Sequence, residues 1–327
     1  MSAVGAEPAG AEHADAEPEM SAARPEHAGA EPEMSAARPE HAGAEPEMSA
    51  AGPEHAGAEQ VVEDTVRAAA AVLGSSVEAI FTLGSLAHGG FAALVSDVDV
   101  AIVLHSTAPD TADQIARVQA LVVEQASSPL SGRLSLFWGD WQAVRTGEGD
   151  HKRLGPVDRL DLLESGRLLL GSDLREPSVR PSHRELVLMS ADHMLGKFTR
   201  EYLEGLRDTR ALLAGGPRAV TKAILFPVRF MYTLTAGRIG LNDSSARWYA
   251  AEDLPGSALA LKALEWRNAG IPDPDLARQL LDADLITIHA TCLNEYSNEL
   301  DGLGEQRRAT ALAQRAAGVD LVTAGAC

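Results

Sequence analysis

The chain has 327 residues, 45% of them hydrophobic, and a net charge of −19. This length allows two ordinary domains with a sizeable core. An acidic chain without a basic stripe argues against nucleic-acid binding, because phosphate contacts need clustered Lys and Arg. No apolar stretch approaches the roughly 18–20 residues of a membrane span, and two cysteines build no disulfide framework. We therefore expect a soluble, cytoplasmic protein without nucleic-acid or membrane partners.

Residues 1–60 repeat with a period of 14. The unit that begins at Met20 returns nearly unchanged from Met34 and again from Met48. Each unit contains Pro and Gly and offers Met as its only large apolar residue. Such a unit cannot bury enough surface to offset the entropy of ordering, so we expect a disordered tail.

From Val61 the pattern becomes that of a folded domain. Residues 61–73 are predicted to form a helix that stops at a glycine. Residues 77–83 and 98–104 have the apolar character of buried strands. A helix over 110–126 and a third strand over 134–138 complete this mixed section.

The remainder is predicted to be helical. Residues 195–206 space their apolar side chains along one helix face, and Pro217 and Pro274 each suit the first position of a helix. About four helices of these lengths would form a bundle. The predicted class is α+β, with four segments: a disordered tail (1–60), a small mixed-sheet domain (61–176), a helical bundle domain (182–303) and a C-terminal tail (304–327).

Two acidic residues interrupt the apolar run of the second predicted strand, in Ser96-Asp97-Val98-Asp99-Val100. Side chains alternate across a strand, so Asp97 and Asp99 point to the same face. Neighbouring carboxylates repel each other unless a cation lies between them, and hard divalent cations prefer oxygen ligands. We expect Asp97 and Asp99 to be catalytic and to bind Mg²⁺ or Mn²⁺. A carboxylate inside an apolar run is costly, which disfavours a merely decorative role.

Gly84 and Ser85 directly follow the first predicted strand. Glycine lets the backbone approach a phosphate, and the serine hydroxyl and following amides can donate hydrogen bonds to phosphate oxygens. These two residues are therefore predicted to bind the phosphates of a nucleotide.

The two segments together resemble the nucleotidyltransferase motif of the polymerase-β-like superfamily, in which a hydrophobic-Gly-Ser segment precedes Asp-x-Asp-hydrophobic. The domain order is similar to that of the aminoglycoside adenylyltransferases that modify streptomycin and spectinomycin. The resemblance implies ATP as substrate, a place for Ser96 among the nucleotide-binding residues, and contact of Arg229 with the phosphates. An arginine that snorkels from a bundle helix is the alternative for Arg229.

The chain departs from the family pattern at two places. Ser135 stands where the family has a third carboxylate, and serine is neither a base at neutral pH nor a good metal ligand. Asp140 is the nearest substitute for a catalytic carboxylate, although it needs a bulge or strand end to reach the metals. Asn242 stands where the family has a lysine, and Arg238 or Arg247 could compensate.

Three further acidic residues, Asp158, Asp161 and Glu164, are interpreted as a charged helix face that is structural or solvated.

Two functions follow from these patterns. In the first, the chain transfers a nucleoside monophosphate, AMP from ATP, to a hydroxyl of an unknown small molecule or protein. In the second, the absent third carboxylate makes the chain a regulatory or antitoxin-like module that binds nucleotide without turnover. Ser135 favours the second, and an aligned substitute carboxylate would favour the first.

Overall fold

The computed structural model describes residues 53–125 and 128–320. The predicted disordered tail lies outside the described residues as far as residue 52. Its last part is helical, because the first helix begins at Pro53, ahead of the predicted start at Val61. This helix ends at Leu73, next to the glycine expected to stop it.

Among the described residues, four strands form one mixed sheet in the first section of the fold. They are β1 (Val77–Leu83), β2 (Val98–Leu104), β3 (Leu134–Asp140) and β4 (Arg167–Gly171). The order across the sheet is β3-β2-β1-β4, with β2 and β3 parallel and the other pairs antiparallel. The bounds of β1 and β2 match the predicted strands, whereas β4 was not predicted.

Helices cover both faces of this sheet. They are α1 (Pro53–Leu73), α2 (Gly84–Ala87), α3 (Thr111–Glu124), α4 (Trp141–Thr146) and α5 (Pro156–Ser165). Val98, Val100 and Ile102 of β2 pack with side chains of α1 and α3. Ala101 and Val103 pack on the opposite face with side chains of α4 and α5. Because side chains alternate along a strand, Asp99 belongs to the face covered by α4 and α5.

The strand register brings the two sequence segments of interest together. Leu83, the last residue of β1, pairs with Asp99 of β2 across the antiparallel ladder. Gly84 follows immediately, so the turn after β1 lies beside the acidic end of β2. On its other edge, Asp99 pairs with Ser135 of β3.

Eight helices form the second section as far as residue 320, where the described part of the chain ends. They are α6 (His183–Lys197), α7 (Arg200–Gly205), α8 (Thr209–Ala214), α9 (Gly216–Ala236), α10 (Asn242–Ala251), α11 (Ser257–Ala269), α12 (Pro274–Gly302) and α13 (Gln306–Asp320). The long helices α9 and α12 each carry a proline in their first turn, as predicted. Their buried faces join α6, α10, α11 and α13 in one apolar core.

This arrangement confirms the predicted α+β class, a mixed sheet followed by a helical bundle. The bundle has more helices than the four or so expected. The apolar stripe over 195–206 is divided between two helices, because α6 ends at Lys197 and Thr199 caps the start of α7. Helix α13 fills most of the segment assigned to a C-terminal tail, and its Leu312 is buried. No helix in the described part of the chain is long and apolar enough to cross a membrane.

One buried histidine makes the stability of the bundle depend on pH. His289 of α12 is fully buried, and its Nε2 lies 2.9 Å from the carbonyl oxygen of Ala223. Its ring packs against Phe198 at a centroid distance of 4.8 Å. Burial lowers the pKa of His289 to about 4, although the hydrogen bond to Ala223 opposes that shift. The unfolded chain therefore binds a proton here near the ordinary histidine pKa of 6.5, while the folded chain does not.

We expect the free energy of unfolding to fall as pH drops from about 6.5 to about 4. The contribution of His289 to this fall is about 3 kcal/mol, at about 1.4 kcal/mol per pKa unit. His289→Gln keeps a donor for the Ala223 carbonyl and does not titrate, so urea unfolding over this range should show a shallower loss than in wild type. His105→Gln, at a side chain that is 79% exposed, serves as the control. Equal pH slopes for wild type and His289→Gln would contradict the assignment.

Candidate functional site

The carboxylates of Asp99 and Asp161 lie close to Gly84, in the turn that follows β1. Its φ of +62° lies in the left-handed region, which favours glycine. Its backbone N–H donates a hydrogen bond to Oδ2 of Asp161, at 2.7 Å. A Cβ at this position would collide with the Asp99 carboxylate. Glycine is therefore required both by the backbone angle and by the closeness of Asp99.

The Asp99 carboxyl group lies among other acids. Burial first, and then the nearby charges of Asp97 and Asp161, raise its pKa to about 7, while Arg229 opposes the shift. A carboxyl with this pKa carries a proton in part of the molecules near neutral pH.

Asp97 has two cationic partners from the helical section. Lys222 Nζ donates to Asp97 Oδ2 at 2.5 Å, and Arg218 Nη2 donates to Asp97 Oδ1. Both cations lie on α9, four residues apart, so they share one face of that helix. Each oxygen of the Asp97 carboxylate is thus occupied by a cation.

Arg229 approaches the acids from the same helix. Its Nε donates to the carbonyl oxygen of Gly240, which fixes the side chain between α9 and the start of α10. Burial lowers the pKa of Arg229, while Asp161, Asp99 and Asp158 oppose that shift by favouring its charged form. Arg229 lines the same cleft as Asp97 and Asp99, and its predicted contact with nucleotide phosphates stays a prediction.

Two connected openings separate the sheet from α9. The narrow cleft, of about 680 Å³, is lined among others by Gly84, Ser85, Asp97, Asp99, Lys222 and Arg229. The wide cleft, of about 1420 Å³, is lined among others by Asp99, Ser135, Asp158, His193, Phe226 and Arg229. Asp99 and Arg229 line both, so they mark the place where the two clefts meet.

The wide cleft contains a second carboxyl group with a shifted pKa. Burial raises the pKa of Asp158 on α5 to about 6, against a lowering by hydrogen bonding to the backbone of Gly155. His193 of α6 lines the same cleft, and burial lowers its pKa from the usual 6.5. Its ring packs on Phe230 at a centroid distance of 5.6 Å. This cleft thus combines aromatic walls with a few titratable groups.

The structure corrects the expectation for Asp140. Its side chain accepts a hydrogen bond from the Ala143 N–H at 2.8 Å and caps α4. Asp140 pairs with Leu104, five residues along β2 from Asp99, or about 16 Å at about 3.3 Å per residue. It therefore lies at the far end of the strand from Asp97 and Asp99. The residue beside Asp99 is Ser135, at the position predicted to lack the third carboxylate.

Other predicted residues also have defined places. Ser85 and Ser96 line the narrow cleft. Ser96 is 8% exposed, and its Oγ accepts the Ala92 N–H at 3.0 Å and lies 3.3 Å from Arg267 Nη2. Ser96 therefore braces the turn before β2. Asn242 lines the narrow cleft as well, whereas Arg247 pairs with Asp243 at 2.7 Å and does not line it.

Sequence reasoning missed four charged residues of the site. Asp158 and Asp161 were interpreted as a charged helix face, yet Asp161 is 6% exposed and holds Gly84. Arg218 and Lys222 were not singled out. Arg218, Lys222 and Arg229 are spaced on α9 at close to the helical period, which places them on one face of the helix. This spacing was the sequence signal that could have identified them. That signal does not say which face of α9 meets the sheet.

Within residues 53–125 and 128–320, no group of three or more His, Cys, Asp or Glu side chains is arranged to hold a metal ion. Both oxygens of Asp161 have partners, since Oδ2 accepts from Gly84 and Oδ1 from the Ser165 hydroxyl. Asp161 holds the Gly84 turn in place. Asp97 and Asp99 are the candidate ligands, although a metal ion at Asp97 would have to displace Arg218 or Lys222 from one of its oxygens.

No protein-family model matches the chain, and no curated protein matches it. Among solved structures, the chain is similar to the crystal structure of a spectinomycin adenyltransferase from Enterococcus faecialis with ATP and spectinomycin. The identity is 15% and the TM-score 0.49, over 69% of this chain and 98% of that chain. At this level of similarity, the function of this chain has to be inferred from its own residues.

Gly84→Ala tests whether Asp99 requires a glycine beside it. The variant should lose about 1–2 kcal/mol of stability from the left-handed angle, and more because its Cβ displaces the Asp99 carboxylate. Gly89→Ala is the matched control, since Gly89 has a φ of +81° with no atom within 4 Å of an added Cβ. Urea unfolding should therefore show a larger loss for Gly84→Ala than for Gly89→Ala.

A double variant separates the collision from the backbone strain. Asp99→Ala removes the carboxyl group, which includes the atoms nearest to the new Cβ, so its effect and that of Gly84→Ala should not be additive. Additive effects, or equal losses of stability for the two glycine variants, would show that Asp99 does not collide with an added Cβ at position 84.

Proposed function

We propose that the chain is a divalent-metal-dependent nucleotidyltransferase that moves a nucleoside monophosphate, AMP from ATP, to a hydroxyl group of a small molecule or protein. The observation that carries this proposal is the junction at Gly84. There the turn after β1, the carboxylates of Asp97 and Asp99, and Arg229 from α9 line one cleft. Phosphoryl transfer needs a backbone that comes close to the phosphates, carboxylates that bind a metal ion, and a cation that stabilises the phosphate charge.

The residues present fit a bound Mg²⁺ or Mn²⁺. Asp97 and Asp99 offer hard oxygen ligands, and the pKa of Asp99, raised to about 7, reflects burial among like charges that a divalent cation would relieve. Mg²⁺ is commonly held by one or two carboxylates together with substrate phosphates, so a third protein ligand is not required. When bound, the ion would neutralise phosphate charge and orient the phosphate that reacts.

The nucleotide phosphates would bind in the narrow cleft. Gly84 lets the backbone come close, Ser85 supplies a hydroxyl, and Arg229 supplies a planar donor group suited to phosphate oxygens. Ser96, held by Ala92 and Arg267, keeps the turn that carries Asp97 in position.

The acceptor would occupy the wide cleft, which meets the narrow cleft at Asp99. In the reaction, the acceptor oxygen forms a bond to the α-phosphorus, the bond from that phosphorus to pyrophosphate breaks, and the hydroxyl proton leaves. With Ser135 beside Asp99, the carboxylate we propose to accept this proton is Asp158 on the wall of the wide cleft. Its pKa of about 6 suits a base at neutral pH.

Asp97→Asn and Asp99→Asn test the metal site. We expect wild-type chain to bind ATP in calorimetry only with Mg²⁺ or Mn²⁺, and both variants to lose this binding at least about tenfold, because each removes a charged ligand. Asp140→Asn is the control, since this residue caps α4 at the far end of β3. Metal-independent binding of ATP by the wild-type chain, or equal binding of Mg·ATP by wild type and all variants, would overturn the proposal.

Asp158→Asn tests the proposed base. Turnover should fall by about 10²–10⁴-fold while Mg·ATP binding persists, because a general base acts on the chemical step. The base works when ionised, so wild-type turnover should rise as pH increases through about 6. Acceptors are screened with labelled ATP, and pyrophosphate release gives the rate.

Glu164→Gln is the matched control for this prediction. It lies on the same helix α5 but pairs with Arg180 and lines neither cleft. Turnover that is unchanged in Asp158→Asn would remove Asp158 from the chemistry.

A regulatory module that binds nucleotide without turnover is the second candidate. The observation that favours it is Ser135, which pairs with Asp99 and carries no carboxylate. Tight, metal-dependent ATP binding with no pyrophosphate release over a broad acceptor screen would support this candidate over the enzyme.

A further inference from the structure

Two cations of α9 neutralise the first of the proposed metal ligands. Arg218 Nη2 contacts Oδ1 of Asp97, and Lys222 Nζ lies 2.5 Å from Oδ2. The three side chains are between 23% and 35% exposed, so solvent reaches this contact. The ion pairs join the turn before β2 to the first two turns of α9.

This contact is not balanced in charge. Two positive groups share one carboxylate, which leaves an excess of one positive charge. Arg218 also has a buried Nε without a hydrogen-bond partner among the described residues. Lys222 has the ring of Phe226 as a further neighbour, with its Nζ 5.8 Å from the ring centroid. Both cations therefore have capacity to bind another anion.

The two carboxylate oxygens of Asp97 cannot bind a divalent cation and keep both ion pairs at the same time. A divalent cation at Asp97 would take an oxygen that now contacts Arg218 or Lys222, and like charges would repel each other there. The displaced cations would remain tethered to α9 beside the narrow cleft, which Lys222 lines. A triphosphate in that cleft offers the anionic oxygens that they then need.

We propose that Arg218 and Lys222 form a polyphosphate-binding pair, which blocks Asp97 in the nucleotide-free chain and transfers to the β- and γ-phosphates when a metal ion and nucleotide bind. This inference rests on the proposed function, since it assigns residues to the triphosphate of that reaction.

A polyphosphate-binding pair and a purely structural link between sheet and bundle predict different effects when the charge of Asp97 is removed. If Asp97 blocks the pair, removing its charge must free two cations for an anion even without metal. A structural link predicts only a loss of stability. Asp97→Asn therefore has opposite expected effects, since it weakens binding of Mg·ATP and strengthens binding of a metal-free polyphosphate.

The test is calorimetry of inorganic tripolyphosphate on the full chain in the presence of a chelator. We expect Asp97→Asn to bind at least about tenfold more tightly than wild type, the scale of one charge-assisted hydrogen bond. Adding Arg218→Gln or Lys222→Gln to Asp97→Asn should remove this gain.

Asp243→Asn is the matched control. It also removes one negative charge and releases an arginine from an ion pair, because Asp243 pairs with Arg247 on α10 outside the narrow cleft. It should leave tripolyphosphate binding at the wild-type level. The proposal is overturned if Asp97→Asn gains no affinity, or if Asp243→Asn gains as much.

A second arm separates this inference from the proposed function. With Mg²⁺ present, Arg218→Gln and Lys222→Gln should each weaken ATP binding about tenfold and leave AMP binding unchanged, since AMP lacks the β- and γ-phosphates. Equal losses for ATP and AMP would contradict the assignment to these phosphates. Failure of wild-type chain to bind Mg·ATP would refute the proposed function, while the metal-free arm would still report on the pair.

Discussion

Burial of carboxylates in the cleft between sheet and α9 is the constraint on which the site depends. Asp99 faces Asp97 and Asp161, and burial among these charges raises its pKa to about 7. Removing like charges from water is costly unless cations compensate for them. The helical section provides such cations in Arg218, Lys222 and Arg229, all on α9. The contact between sheet and bundle is therefore electrostatic at the place where the clefts open, although each section has an apolar core of its own.

The backbone around Gly84 also accommodates the buried carboxylates. The antiparallel pairing of β1 and β2 places the end of one strand beside the acidic start of the other, and the left-handed Gly84 leaves room for the Asp99 carboxylate. Asp161 then holds the Gly84 amide from α5. A turn held in this way is preorganised, so its groups need little rearrangement when a charged ligand enters.

The sequence predicted the parts of this site that depend on local pattern. Strands β1 and β2 have the predicted bounds, because their apolar runs and the glycine after β1 are signals of short range. Ser135 was placed at the position of the third carboxylate by the resemblance to a known motif and not by local pattern, and the strand register pairs it with Asp99. Asp140 was assigned wrongly because strand parity says nothing of a carboxylate that caps the next helix. Asp161 and Lys222 were missed because their roles depend on which faces of α5 and α9 meet the sheet, and charge spacing alone does not determine that.

The most direct measurement is a crystal structure of the chain with Mn²⁺ and a non-hydrolysable ATP analogue, with anomalous scattering used to locate the metal. The account predicts an anomalous peak within about 2.0–2.6 Å of carboxylate oxygens of Asp97 and Asp99. It also predicts phosphates beside Gly84 and Ser85, and Arg218 and Lys222 moved from Asp97 to those phosphates. A nucleotide bound elsewhere, or an Asp97 that keeps both cations with no metal beside it, would contradict the account.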